Sequence, residues 1–249
     1  MAKEPAAVVK RRERVRVILP ILEATYPGAK CSLDFTNPLE LIVATILSAQ
    51  CTDERVNKTT PALFAAFPSA ADYANAELAK LGAAIQSCGF FNQKAKSIQS
   101  MAKSLLERHS GEVPRSMEEL TKLAGVGRKT ANVVLGNAFG INAGIAVDTH
   151  VGRVSKRLGL TLHDDPVKIE QDLMATVPRE HWTQWSHLLI YHGRAICRAP
   201  QPLCERCPLL EHCPTGPKVL RERSVKAKRG TIRKVSKAGL KRVRTTRER

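Results

Sequence analysis

The chain has 249 residues, of which 43% are hydrophobic, and its formal net charge is +17. This length and apolar content allow one large domain or two medium ones and exclude a disordered protein. No apolar run is long enough to span a bilayer, and the N-terminus lacks the apolar core and cleavage site of a secretory signal. We therefore expect an intracellular protein with no membrane partner.

The positive charge is concentrated at the C-terminus. Residues 218–249 contain 14 Lys or Arg and 2 Asp or Glu, a net charge of +12, whereas residues 1–217 carry +5. A basic segment with few aromatic residues is typical of disorder and of binding to a polyanion such as nucleic acid. We expect 218–249 to be a disordered basic tail. The alternative is a tail that only keeps the protein soluble.

Nearly every segment has the pattern of a helix, and none has the alternation of a strand. Asn37 and Pro38 supply the cap and first-turn proline of a helix whose LIVATIL run predicts central burial. A second helix is predicted over about 53–67. A tight turn at 88–89 precedes a long helix. The sequence therefore predicts an all-α fold.

Two helices joined by a Gly-x-Gly turn are predicted over 116–139. An S-x-x-E capping box opens the first helix, and Gly125 is placed as the left-handed residue beyond it. The second helix begins near Arg128. The backbone amides of Gly125, Val126 and Gly127 lead into its N-terminus and can bind a phosphate of any sequence. The alternative is an ordinary turn between two helices.

Lys129 and Asp148 are the candidate catalytic pair. Lys129 lies near the start of the second hairpin helix, and Asp148 follows 19 residues later. A neutral amine can attack a sugar C1′ and form a Schiff base, while a carboxylate can stabilise developing positive charge or move protons. The sequence leaves open how the amine is deprotonated. The alternatives are a solvated lysine and a carboxylate that only caps a helix.

A proline-rich loop near the C-terminus carries four cysteines with the spacing C-x6-C-x2-C-x5-C. Four thiolates suit either tetrahedral zinc or an iron–sulfur cluster, and the spacing does not separate the two. Disulfides are the alternative, which an intracellular setting disfavours. The candidate metal ligands are Cys197, Cys204, Cys207 and Cys213.

These three motifs, together with LSAQCTDERVN at 47–57, resemble the endonuclease III family of helix-hairpin-helix DNA glycosylase/AP lyases. The resemblance covers about residues 15–215 and implies a 4Fe-4S cluster on the four cysteines. It also implies two domains with DNA bound between them. One is a helical barrel over 32–142. The other, which holds the cluster, combines 1–31 with 143–217.

The resemblance also implies which residues meet DNA. Gln50 would help fill the space left by a flipped base. Phe90 occupies the place where the family often has a leucine wedge, and a core aromatic is the alternative for it. Lys129 and Asp148 would face the cleft from different domains. The expected DNA-binding residues are Gln50, Phe90, Gly125, Val126, Gly127, Arg128 and His150.

The function that the resemblance implies is base-excision repair. A bifunctional glycosylase/AP lyase would remove oxidised or ring-saturated pyrimidines through a Schiff base on Lys129, followed by β-elimination at the abasic site. Its partner would be double-stranded DNA with damaged bases or abasic sites. We expect a monomer in a bacterial cytoplasm, associated with the nucleoid. The alternatives are an adenine-mismatch glycosylase, which generally lacks the lysine, and a non-catalytic iron–sulfur DNA-binding protein.

Overall fold

The computed structural model describes residues 5–226, which form helices joined by short turns. No strand occurs in this part of the chain, so the all-α prediction is confirmed. Across the same residues, no helix is long and apolar enough to cross a membrane. The α-helices are α1 (Ala6–Thr25), α2 (Pro38–Leu47), α3 (Asp53–Ala66), α4 (Ala70–Asn75), α5 (Leu78–Ala84), α6 (Phe91–His109), α7 (Met117–Thr121), α8 (Arg128–Phe139), α9 (Thr149–Arg157), α10 (Pro166–Met174) and α11 (Trp182–Ala195). Short 3-10 turns lie at Gln86–Cys88, Arg179–His181, Cys204–Arg206 and Leu210–His212.

Several helices begin where a side chain accepts a hydrogen bond from a free backbone amide of the first turn. The Asn37 side chain accepts from the Glu40 amide at 2.9 Å, and Pro38 takes the first position of α2, as predicted. The Asp148 carboxylate accepts from the Val151 amide at 2.8 Å and begins α9. Local sequence therefore determines where the helices that border the site start.

The hairpin predicted over 116–139 is formed by α7 and α8. The Ser116 hydroxyl accepts from the Glu119 amide at 3.2 Å and begins α7. Gly125 has a φ of +76°, a left-handed conformation that glycine adopts without steric cost. Helix α8 then starts at Arg128, as predicted.

The buried hydrophobic residues form two cores. The first extends from Leu33 to Leu135 and is centred on α2, in which every residue from Leu41 to Leu47 is buried. The second combines α1 with α9, α10 and α11, and includes Trp185. The chain passes from one core to the other after α8. The two candidate catalytic residues therefore lie on segments that belong to different cores.

The prediction that 218–249 is disordered is wrong for the first residues of that segment. Residues 216–226 are helical, which covers 218–226 of the tail. The cause is docking against the cysteine loop, because the Arg223 guanidinium donates to the Pro202 carbonyl at 2.7 Å and pairs with Glu205 at 3.0 Å. The rest of the tail, 227–249, lies outside the described residues.

Candidate active site

A cleft runs between the two cores. It contains two adjoining cavities of about 100 and 880 Å³, and Lys129 and Asp148 line both of them. Lys129 comes from the first turn of α8, and Asp148 comes from the cap of α9. The fold thus brings the predicted pair into one cleft from opposite sides.

Lys129 is the candidate amine of this cleft. Its side chain is exposed, and its ammonium forms no ion pair with any described residue. Gly127 caps α8 with no side-chain hydrogen bond, so free amides remain at the N-terminus of the same helix. An amine that is not committed to a protein partner is available to an incoming sugar.

The two carboxylate oxygens of Asp148 differ in their contacts. One carboxylate oxygen accepts the Val151 amide, so the capping alternative describes a real contact. The second oxygen accepts no hydrogen bond within residues 5–226. Because the cap fixes the orientation of the carboxylate, the free oxygen remains available in the cleft that Lys129 lines.

A buried carboxylate holds α8 in place beside Lys129. Glu170 on α10 is 5% exposed at its side chain. It accepts from the Arg128 Nε at 2.6 Å and from the Asn132 Nδ2 at 2.7 Å. A side chain at Gly144 would displace the buried ends of Glu170 and Asn132. Arg128 was predicted to bind DNA, yet its Nε–H is committed to this contact.

An ion pair crosses the cleft at its other end. Arg194, near the end of α11, donates to the Asp53 carboxylate at 2.6 Å and to the Ser32 hydroxyl at 3.1 Å. Asp53 begins α3, so this pair joins the two cores. Both residues line the same two cavities as Lys129.

Gln50 and Phe90 share an uncommon backbone conformation at the surface. Their φ angles are 52° and 47°, in the left-handed region, and both side chains are exposed. Phe90 is 69% exposed, so it is not a core aromatic. A left-handed non-glycine residue costs about 1–3 kcal/mol and persists only where its surroundings impose it. Such strain is concentrated at functional sites, which fits residues that must project outward.

The hairpin turn differs from the prediction in one respect. Gly125 and Gly127 are exposed, but Val126 is buried in the first core. The Val126 amide donates to the Leu123 carbonyl at 3.1 Å and closes the turn. The Val126 N–H is therefore already hydrogen-bonded within the turn. The prediction of phosphate binding now concerns only the amides of Gly125 and Gly127.

His150 is the second residue of α9 and follows Asp148 by two positions. Its Nδ1 is 3.2 Å from the Arg153 guanidinium. Burial lowers the pKa of His150 below its ordinary value, although the Asp148 carboxylate acts in the opposite direction. The ring is therefore neutral near pH 7 and is suited to a hydrogen bond rather than to charge pairing with a phosphate.

The four candidate ligands line one small pocket, together with Arg157 and His192. Polar groups approach three of the sulfurs: the Arg157 guanidinium lies 3.4 Å from the Cys197 Sγ, the Gly216 amide 3.3 Å from the Cys213 Sγ, and the His192 Nε2 3.6 Å from the Cys207 Sγ. Among the described residues, no group of three His, Cys, Asp or Glu is gathered closely enough to hold a single metal ion.

Residues 43–179 match the family described as HhH-GPD superfamily base excision DNA repair protein. The chain is 54% identical to endonuclease III of Synechocystis sp. over 209 residues, which are 84% of this chain and 95% of that relative. It matches a solved non-covalent endonuclease III–DNA complex at 46% identity and a TM-score of 0.80, covering 84% of this chain and 98% of that one. A solved trapped endonuclease III–DNA covalent intermediate (the estranged-adenine complex) matches with the same coverage and TM-score at 45% identity. This chain belongs to the endonuclease III family.

Two contacts of this endonuclease III site could not be found from the sequence. Glu170 and Asn132 are 38 positions apart, and no motif links them. Arg194 stands in the YHGR run two positions after a histidine, but its partner Asp53 is 141 positions away. Contacts of this range depend on how the helices pack, so only the folded chain reveals them.

Proposed function

We propose that this member of the endonuclease III family is a base-excision-repair DNA glycosylase and AP lyase acting on double-stranded DNA. The observation that carries the proposal is the meeting of Lys129 and Asp148 in one cleft, from opposite cores. The two solved relatives support it, since one is a DNA complex and the other a trapped covalent intermediate. The substrates we propose are oxidised or ring-saturated pyrimidines.

The chemistry requires an amine and a carboxylate in these positions. The neutral Lys129 amine attacks the sugar C1′ and forms an N–C1′ bond while the bond from C1′ to the base breaks. The sugar ring opens to a protonated Schiff base, and β-elimination then expels the 3′ phosphate. The free oxygen of Asp148 stabilises positive charge on the sugar or moves a proton during these steps.

Access to the base requires that it leave the DNA stack. Gly125 and Gly127 would hold a phosphate through their amides, at the N-terminus of α8. Gln50 and Phe90 would enter the duplex where the base has left, since both project outward from strained turns. His150 would contribute a neutral ring near the sugar.

We propose a 4Fe-4S cluster for the cysteine pocket. The four cysteines line one pocket, as the ligands of either zinc or a cluster must. The C-x6-C-x2-C-x5-C spacing that resembles the endonuclease III family supports the cluster over zinc. The donors near three of the sulfurs fit ligands that carry negative charge. When bound, the cluster would supply cross-linking of the loop, and Cys197, Cys204, Cys207 and Cys213 would hold it.

The two cores support the proposed division into domains. The first core fits a barrel domain over 32–142, and the second fits a cluster domain made of 1–31 and 143–217. We further propose that the protein acts as a monomer in the bacterial cytoplasm, near the nucleoid. The basic segment 227–249 would add sequence-independent attraction to DNA.

Covalent trapping tests the proposed function. Borohydride reduces a Schiff base to a stable bond, so the wild-type protein should become cross-linked to a duplex that contains an abasic site or an oxidised pyrimidine. Lys129→Gln should abolish the cross-link, and Lys103→Gln, at an exposed position on α6, should retain it. Undiminished trapping by Lys129→Gln would overturn the assignment. Binding without strand cleavage would favour a non-catalytic protein, and cleavage only at adenine mismatches would favour the mismatch enzyme.

A further inference from the structure

The most unusual charge in the first core is a buried lysine. Lys94 on α6 is 5% exposed, although lysine is rarely buried without a carboxylate partner. Within residues 5–226 it forms no ion pair. Burying an ammonium costs free energy, so its contacts require an explanation.

Two backbone carbonyls satisfy the Lys94 ammonium. Its Nζ donates to the Leu47 carbonyl at 2.8 Å and to the Cys88 carbonyl at 2.8 Å. Leu47 is the last residue of α2, where unpaired carbonyls and the helix dipole leave partial negative charge. The helix end therefore replaces a carboxylate as the partner of this cation.

The two carbonyls lie just before Gln50 and Phe90, two of the three described non-glycine residues with a positive φ (Ser110 is the third). Gln50 follows Leu47 by three positions, and Phe90 follows Cys88 by two. The Lys94 backbone amide also donates to the Phe90 carbonyl at 3.1 Å. One residue thus contacts the Phe90 turn through both its backbone and its side chain, and reaches the Gln50 turn through the same ammonium.

Further contacts bring the two turns together. The Cys88 thiol donates to the Thr59 hydroxyl of α3, the helix that follows Gln50, at 3.7 Å. The Thr59 and Ser87 hydroxyls are 2.8 Å apart and join α3 to the 3-10 turn before Phe90. These are weaker contacts than a charged donor shared by two carbonyls, which places the main constraint at Lys94.

We infer that Lys94 is a positioning residue that holds the turns of Gln50 and Phe90 at a fixed separation, so that both side chains enter DNA as one rigid unit. This inference rests on the proposed function, because it assumes that the two residues replace a flipped base. Rigidity matters because a displacement of about 1 Å in a positioning group can reduce a rate about a hundredfold.

The test compares trapping on duplex and single-stranded abasic oligonucleotides. A single strand presents its abasic sugar without insertion, so only the duplex reaction should depend on Lys94. Lys94→Met removes the donors with little change in volume, and Lys96→Met places the same change at an exposed position of α6. We expect Lys94→Met to slow duplex trapping about tenfold or more while single-strand trapping changes by less than about twofold, and Lys96→Met to match wild type on both. Where Lys94→Met does not accumulate as folded protein, Lys94→Gln takes its place.

A second readout follows insertion directly. The fluorescence of 2-aminopurine opposite a tetrahydrofuran abasic analogue rises when the base is unstacked. Lys94→Met should reduce that rise in the wild-type background and add little in a Phe90→Ala background, because the two changes disable one unit. Additive effects in the two backgrounds, or an equal loss of duplex and single-strand trapping, would overturn the inference. A wild-type protein that traps neither oligonucleotide would refute the proposed function instead.

Discussion

In the cleft, the Asp148 carboxylate is held by a backbone amide and the Arg194 guanidinium by a carboxylate of another helix. The four cysteines, in contrast, lie on a segment whose only regular structure is two short 3-10 turns between α11 and the helical residues 216–226. The cleft is thus organised by helix packing, whereas the loop is held by single contacts, such as that of the Arg223 guanidinium with the Pro202 carbonyl. A cluster that joins the four sulfurs, as we propose, would therefore matter more to the loop than to the cleft.

The largest expected effect comes from breaking the loop. Cys207→Ser should abolish iron binding and loosen the second core, because α11 leads directly into the loop. Hydrogen exchange should quicken in α1 and α11 while α2 and α6 keep their protection. Cys31→Ser, which changes a half-buried cysteine outside the loop, is the control. If α11 stayed protected after loss of iron, the loop would not depend on its cluster.

An intermediate effect is expected at the cap of α9. Asp148→Asn keeps an oxygen that can accept the Val151 amide, so folding and DNA binding should be retained. Single-turnover base release should fall about a hundredfold or more, because an amide does not stabilise positive charge as a carboxylate does. Asp148→Ala should lose activity as well and also lower the free energy of unfolding by about 1 kcal/mol. Equal activity of Asp148→Asn and wild type would reduce Asp148 to a cap.

The smallest expected effect concerns pH and the joint between the cores. The His187 Nε2 on α11 is 2.8 Å from the Asn137 Oδ1 on α8, and burial lowers the pKa of His187 to about 4. The folded protein favours the neutral ring, so its contribution to stability is complete above about pH 6.5 and is lost as the pH falls towards about 4.

Urea unfolding of wild type and His187→Gln would measure this pH dependence. The glutamine amide can donate to Asn137 but does not titrate, so the variant should lose less stability between about pH 7 and about pH 4.5. A pH dependence identical to that of wild type would mean that His187 does not titrate across the transition.

Local signals predicted most of the fold. The caps at Asn37, Ser116 and Asp148 and the left-handed Gly125 depend on residues within a few positions, so their patterns can be read from the sequence. The LIVATIL run predicted a central helix because burial on all sides leaves no polar face. Of the candidate site residues, Lys129 and Asp148 were found through motifs, and their meeting in one cleft was an expectation from the resemblance.

Long-range contacts account for what the sequence did not predict. The commitment of Arg128 to Glu170 and the docking of Arg223 on the cysteine loop each join segments that are distant along the chain. The charge count assigned 218–226 to a disordered tail because it treats every arginine as a solvated charge. It could not show that the Arg223 guanidinium donates to the Pro202 carbonyl. Buried charges such as Lys94 escape a sequence reading for the same reason, because a lysine on a helix ordinarily faces solvent.

Asp148 caps α9 and, as we propose, also supplies the catalytic carboxylate. This combination affects which substitutions at the position a lineage can accept. Asparagine, serine and threonine cap helices about as well as aspartate, so a population screened only for a stable fold would accept Asp148→Asn or Asp148→Ser. Such descendants would keep both cores while losing the carboxylate. The stability of the fold therefore does not select against loss of the carboxylate at position 148. Only selection for repair would retain the aspartate.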